Sequence, residues 1–184
     1  MRSIGLVPMA AKPYHAGHDG LVRIASQEND EVLLFVSTSD RMRKGEMPIY
    51  GADMQRVWDD YIEPSLPNNV TVIYGGVPVQ HVYEELEKAE ASRDRTVTFK
   101  IYSDIEDILK YTDASLTKSA PRLFSRGQIE RRGVDRNETV NVSGTKMREY
   151  MANGDVKNFK KFLPPTVRQY AGEILNILTK SGSK

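Results

Sequence analysis

Ser3-Ile4-Gly5-Leu6-Val7-Pro8-Met9-Ala10-Ala11-Lys12-Pro13-Tyr14-His15-Ala16-Gly17-His18 is a short apolar run that stops at a turn containing lysine and proline and passes directly into a helical pattern. Residues 3–7 read as a buried strand, and residues 17–27 carry apolar positions at helical spacing. In an open α/β sheet such a turn lies at the carboxyl end of its strand, where ligands bind, and the free N–H groups of the helix start favour an anion. His15 and His18 stand three apart in the first helical turn, so both face that anion. Imidazole suits phosphate oxygens because it donates a hydrogen bond and is charged or neutral near working pH. Gly17 puts no side chain between a nucleotide and the backbone. An ordinary surface or core pair of histidines is the competing reading, because short motifs recur by accident.

Further branched apolar runs at 32–37, 70–74 and 97–102, with a weaker one at 139–142, give five expected strands. Helical spacing at 52–62 (Met54, Val57, Trp58 and Tyr61 on one face) and at 79–91 (Val79, Val82, Tyr83, Leu86) separates them. The alternation predicts a Rossmann-like, doubly wound α/β sheet of five parallel strands in the order 3-2-1-4-5. The last third reads as short helices at 145–152 and 156–162 and a C-terminal helical cap at 167–178, opened by Pro164 and Pro165 and carrying Ala171, Ile174, Leu175 and Leu178. Residues 117–138 have no clear period and read as a flap or insertion.

A second motif follows the expected fifth strand: Asn141-Val142-Ser143-Gly144-Thr145-Lys146-Met147-Arg148. Ser143 and Thr145 can simply cap a helix, which would make Arg148 an ordinary helix residue. The same hydroxyls, N–H groups and guanidinium also form a second phosphate cradle, suited to β and γ oxygens. Two such cradles on one sheet imply one polyphosphate.

With both motifs in view, the sequence resembles the nucleotidyltransferase superfamily marked by H-x-G-H early and an I-S-S-T-x-x-R type motif late, including cytidylyltransferases and adenylyltransferases. His15-Ala16-Gly17-His18 matches the first motif in full, and Val142 to Arg148 matches the second with Gly144 in place of the common second serine. Serine-glycine-threonine variants resemble adenylyltransferase branches, which favours AMP transfer from ATP over cytidylyl transfer from CTP. The end of the second strand, the basic loop with Lys44, and Arg56 extend the likeness over residues 3 to 162. The resemblance implies that His15, His18 and Lys44 are catalytic. Lys12, Gly17, Ser143, Gly144, Thr145 and Arg148 would bind the nucleotide, while Arg43 and Arg56 would receive a phosphorylated small-molecule acceptor. It also implies Mg2+ bound with the nucleoside triphosphate, since no tight carboxylate cluster offers a dedicated metal cage. Asp40 and Asp104 read equally as metal neighbours or as backbone caps.

Composition bounds the rest. The 184 residues, 39% hydrophobic, suit one domain: a catalytic core over 1–162, a C-terminal helix over 163–180 and a frayed tail at 181–184. Charged residues are 28% of the chain yet the net charge is only +1, which disfavours nucleic acid and membrane as partners. The absence of cysteine excludes disulfides and thiol chemistry and suits a cytoplasmic protein. A homo-oligomer is left open. A nucleotide-binding module without turnover is the rival from another class. His81 reads as a surface or acceptor-side residue, and Trp58 as core rather than a base-stacking platform.

Overall fold

The computed structural model describes residues 1–180; the tail expected to fray, 181–184, lies outside the described residues. Five strands, β1 (Arg2–Met9), β2 (Glu31–Val36), β3 (Val70–Tyr74), β4 (Val97–Asp104) and β5 (Ile129–Val134), form one parallel sheet in the order β3-β2-β1-β4-β5. The strand order and the Rossmann-like class are those expected from the alternating pattern. The chain falls into two compact units, both discontinuous in sequence. One comprises Met1–Met9, Leu21–Val36 and Pro67–Asp135; the other comprises Ala10–Gly20, Ser37–Leu66 and the chain from Arg136 onward.

The first unit holds the sheet. Parallel strands are covered on both faces, so they read as near-continuous apolar runs rather than as alternations. Ile4 and Leu6 of β1, Phe35 of β2 and Phe99 and Ile101 of β4 share a buried cluster with Val82 and Leu86 of α3 (Pro78–Ser92). Leu116 of α4 (Asp113–Ser119) and Leu123 of α5 (Pro121–Ser125) complete it. On the other face, Tyr102 donates to Glu28 at 2.7 Å and accepts from Asn29 at 2.8 Å, which fixes the end of α1 (Ala16–Glu28). Gly5 lies beneath this contact, where a Cβ would stand 3.0 Å from Nδ2 of Asn29. Val79 does not join the α3 stripe: it is exposed, and the buried positions are Val82, Leu86 and Ala89.

The fifth strand is not where the apolar count put it. Residues 139–142 form no strand, and Val142 N–H instead bonds back to the Val140 carbonyl at 2.9 Å. The edge strand is Ile129-Glu-Arg-Arg-Gly-Val134, inside the stretch expected to be a flap. Only Ile129 and Val134 are buried, one on each face because five positions separate them, and the charged residues between them guard the exposed edge. Those charges are satisfied locally: Glu130 pairs with Lys100 at 3.5 Å, and Arg131 bonds Asp113 at 2.7 Å and the Tyr111 carbonyl at 2.8 Å.

The second unit is helical. α2 (Gly51–Val57) continues through a π turn (Trp58–Ile62) and a 3-10 turn (Glu63–Ser65), so the expected single helix over 52–62 changes pitch at Trp58. Trp58 is buried in the core, as are Met54, Val57 and Ile62, while Tyr61 is only half-buried and meets Tyr170 with ring centroids 5.0 Å apart. α6 (Gly144–Ala152), α7 (Val156–Lys161) and α8 (Ala171–Lys180) follow, the last after a 3-10 turn over Pro165–Tyr170. Ala171, Ile174, Leu175 and Leu178 form the buried stripe of α8. Among the described residues no helix is long and apolar enough to cross a membrane.

Candidate active site

The first motif is built by its own backbone. His15 and His18 stack with centroids 3.7 Å apart and planes 25° apart. Nδ1 of His15 accepts from the N–H of Gly17 at 3.0 Å and of His18 at 3.3 Å, while Nδ1 of His18 accepts from the N–H of His15 at 3.1 Å. A ring nitrogen that accepts is unprotonated, so each neutral imidazole carries its hydrogen on Nε2. Burial holds both rings neutral. It is the chief cause that lowers His15 far below its usual range, with the charges of Arg136 and Arg148 adding to the effect, and it lowers His18 to about 4, with Arg136 adding again. Tyr14, a residue that motif reading missed, supports the pair: its ring stacks on His18 at 5.6 Å, leans on Trp58 at 4.8 Å and donates its hydroxyl to Asp19 at 3.0 Å.

This arrangement corrects one expectation. The first N–H groups of α1 are not free for an anion, because Ala16 donates to the Phe162 carbonyl at 2.8 Å and Gly17 and His18 donate to the His15 ring. An anion here meets imidazole N–H groups rather than a bare helix start. Gly17 also has a different reason to be glycine. A Cβ there would lie 2.9 Å from Cε1 of His15 and 3.2 Å from the Val140 carbonyl oxygen, so the absent side chain makes room for the histidine and for the segment before the second motif. Thr139 crowds Gly20 in the same way, with its Cβ 2.7 Å from where a glycine Cβ would be.

The second motif reaches the first through Arg148. Nη1 of Arg148 donates to the Lys12 carbonyl at 2.8 Å, and Nη2 donates to the Thr145 hydroxyl at 3.3 Å. A Cβ at Gly144 would stand 2.8 Å from that Nη1, so glycine at this position lets the guanidinium fold back over the start of α6. Ser143 is the N-cap of α6, accepting from Lys146 N–H at 3.1 Å. Gly144 and Thr145, one residue further on, keep main-chain N–H groups that no other described residue accepts. Lys12 is buried and donates from Nζ to the Ser37 carbonyl at 2.9 Å; burial, chiefly, lowers its pKa, while Asp40 opposes that and Arg41 adds to it.

The remaining candidates divide. Arg43 and Lys44 are exposed in a loop closed by an antiparallel bridge between Arg41 and Ile49. Gly45, at φ 82°, turns that loop, and Glu46 ties it down by pairing with both Arg41 and Arg148. Arg56 is exposed on α2 and, among the described residues, has no hydrogen bond or ion pair to the histidines or to Arg148. Asp40 accepts from Gly51 N–H at 2.7 Å, and Asp104 accepts from Asp107 N–H at 2.7 Å, so both act as backbone caps. His81 stacks on Phe35 at 5.5 Å and bonds the Gly75 carbonyl at 3.0 Å, at the start of α3 in the other unit. Arg41, Glu46 and Arg136 were not among the expected residues. The only prior signal for Glu46 was that it is the one acid in a basic loop.

No protein-family model matches the chain, and no curated protein matches it in sequence. Solved structures do. A Vibrio parahaemolyticus protein assigned as a nicotinate-nucleotide adenylyltransferase superposes with a TM-score of 0.57 at 19% identity, covering 95% of both chains. The chain has the fold of that adenylyltransferase. A bifunctional NMN adenylyltransferase/ADP ribose pyrophosphatase from Francisella tularensis gives 0.57 at 15% identity over 100% of this chain and 54% of its own. Thermotoga maritima TmcAL, solved with alpha-thio ATP, gives 0.50 at 14% identity over 98% of this chain and 56% of its own. This chain therefore spans about half the length of the last two.

Proposed function

We propose that the protein is a nucleotidyltransferase that moves an adenylyl group from ATP to a phosphorylated small molecule and releases pyrophosphate. One observation carries this reading. Two stacked histidines, each with its hydrogen on Nε2, follow a turn whose Lys12 carbonyl accepts from an arginine that follows a capped serine-glycine-threonine turn. In the reaction an acceptor phosphate oxygen attacks the α-phosphorus and the bond to pyrophosphate breaks, so the chemistry needs positioning and preorganised donors rather than a protein nucleophile. His15 and His18 donate to the oxygens that gain charge. Gly144 and Thr145 N–H groups, the Thr145 hydroxyl and Arg148 hold the β and γ phosphates, and Lys12 adds positive charge from the turn. Lys44 and Arg43, on their exposed loop, receive the acceptor phosphate.

Magnesium enters as part of the substrate. Among the described residues no three histidine or acidic side chains converge on a metal site, and Asp40 is committed to capping α2. That donor set fits a hard cation carried on triphosphate oxygens and water. Nicotinate and nicotinamide mononucleotide are the acceptors to try first, because proteins of the same fold are named for them. The test is a pyrophosphate-release assay with ATP or CTP, magnesium, and a panel of phosphorylated acceptors. Release with ATP and at least one acceptor is expected. ATP binding without release under any combination would make the protein a nucleotide-binding module instead.

A further inference from the structure

Glu46 is the one carboxylate in a loop that also holds Arg41, Arg43 and Lys44. Arg41 grips it side-on, with Nε to Oε2 at 2.9 Å and Nη2 to Oε1 at 3.1 Å. Oε2 also lies 3.4 Å from Nε of Arg148. That contact is an ion pair without a hydrogen bond: the Arg148 side chain is 8% exposed, and its Nε–H is buried with no hydrogen-bond partner. A buried donor left in this state is costly and rare, and it marks a place where an acceptor belongs. Held by Arg41 through both oxygens, the Glu46 carboxylate is not aligned to accept the Arg148 Nε–H.

We propose, resting on the nucleotidyl-transfer reading, that Glu46 is a displaceable substitute for a phosphoryl group, holding the Arg41–Arg148 pair until the terminal phosphate of the triphosphate replaces it. A phosphoryl group offers three oxygens and more negative charge, so it satisfies the Arg41 fork and the orphaned Nε of Arg148 together. The surroundings favour that exchange. Arg41 by its hydrogen bond, and then Arg148 and Arg43 by their charges, hold the Glu46 carboxyl below its usual range, so one anion serves three guanidinium groups. The loop can release Glu46 without opening: the Arg41–Ile49 bridge, with N–H to carbonyl distances of 2.8 and 3.1 Å, closes its base independently of the side chain.

Calorimetric titration of wild type, Glu46→Gln and Glu46→Asp with ATP, inorganic tripolyphosphate and AMP tests this. Glu46→Gln should bind ATP and tripolyphosphate about five- to tenfold more tightly than wild type, the scale of one displaced charged contact, with AMP changed by less than about twofold. Glu46→Asp keeps the competing charge and should stay near wild type. Glu46→Ala carries the same expectation as glutamine and serves if that variant melts early. A role limited to bracing the loop predicts equal or weaker binding in the neutral variants, and that result, with wild type binding ATP, overturns the proposal alone. If neither wild type nor variant binds ATP or tripolyphosphate, the nucleotidyl-transfer reading falls first and the proposal with it.

Discussion

The backbone N–H of His15 donates to Nδ1 of His18, and the backbone N–H of His18 donates to Nδ1 of His15, at 3.1 and 3.3 Å. The exchange locks both rings in the tautomer that keeps a donor on Nε2. His15→Ala or His18→Ala should therefore leave ATP affinity within about tenfold and lower kcat by about 100- to 1000-fold, the usual cost of one preorganised transition-state donor. Asparagine offers an N–H without the ring and should recover part of the loss. Wild-type turnover by both alanine variants, measured as pyrophosphate release, would remove the pair from the mechanism.

The same neutrality sets a pH dependence of stability. His18 falls from 6.5 to about 4 on folding, so the unfolded chain binds more protons than the folded one between those values. Its stabilisation is complete above pH 6.5 and is lost as pH falls through about 4; His15 shifts in the same direction. For a half-buried ring the effect is about 1–2 kcal/mol after allowance for solvent screening. Melting curves from pH 7 to pH 4 should show wild type losing stability faster than His18→Gln. Parallel curves would mean that the ring is solvated and protonates normally.

Arg148→Ala should separate the structural from the ligand-binding part of that side chain. It leaves the Lys12 carbonyl without its donor, for about 1–3 kcal/mol of folding stability if no water enters. If Arg148 also grips the triphosphate tail, ATP binding should weaken by about 2–3 kcal/mol more than AMP binding. Arg148→Lys restores charge without the planar fork and should rescue only partly. Equal losses for ATP and AMP, with melting followed in parallel, would leave Arg148 as a structural brace.

Two glycines should resist the smallest possible change. Gly17→Ala drives a methyl into the His15 ring and the Val140 carbonyl, so turnover should fall at least about tenfold, as expected when a catalytic group is misplaced by a fraction of an ångström. Gly144→Ser restores the residue common at this place in related motifs but crowds Nη1 of Arg148 at 2.8 Å. It should loosen the Arg148–Lys12 bond and raise KM for ATP more than it lowers kcat. A Gly144→Ser enzyme with unchanged KM would show that the guanidinium relaxes without penalty.

Four of the five strands and their order were readable because a parallel sheet writes itself as apolar runs separated by helical spacing. β5 was not, because at an edge only Ile129 and Val134 need be apolar, and Glu130, Arg131 and Arg132 conceal the period. Val140 and Val142 misled for the opposite reason: Val142 is buried without pairing in a ladder, in a segment whose Val140 carbonyl and Thr139 side chain lie against Gly17 and Gly20. Within the site, the helix start at the histidines and the Ser143 cap could be read from the sequence, since helix starts and caps are local. Their junction could not. The Lys12–Arg148 bond spans 136 positions, and the roles of Tyr14, Glu46 and Arg136 depend on which rings and charges they meet in space.

The charged edge strand β5 has a counterpart at the opposite edge of the sheet, and the two are unequal. β5 presents Glu130, Arg131 and Arg132, whereas β3, paired only with β2 among the described strands, is Val-Thr-Val-Ile-Tyr and carries no charge at all. Strand edges recruit other strands unless charge or a covering element stops them. Self-association under destabilising conditions should therefore begin at β3, as a short uncharged segment of high β propensity, and not at β5.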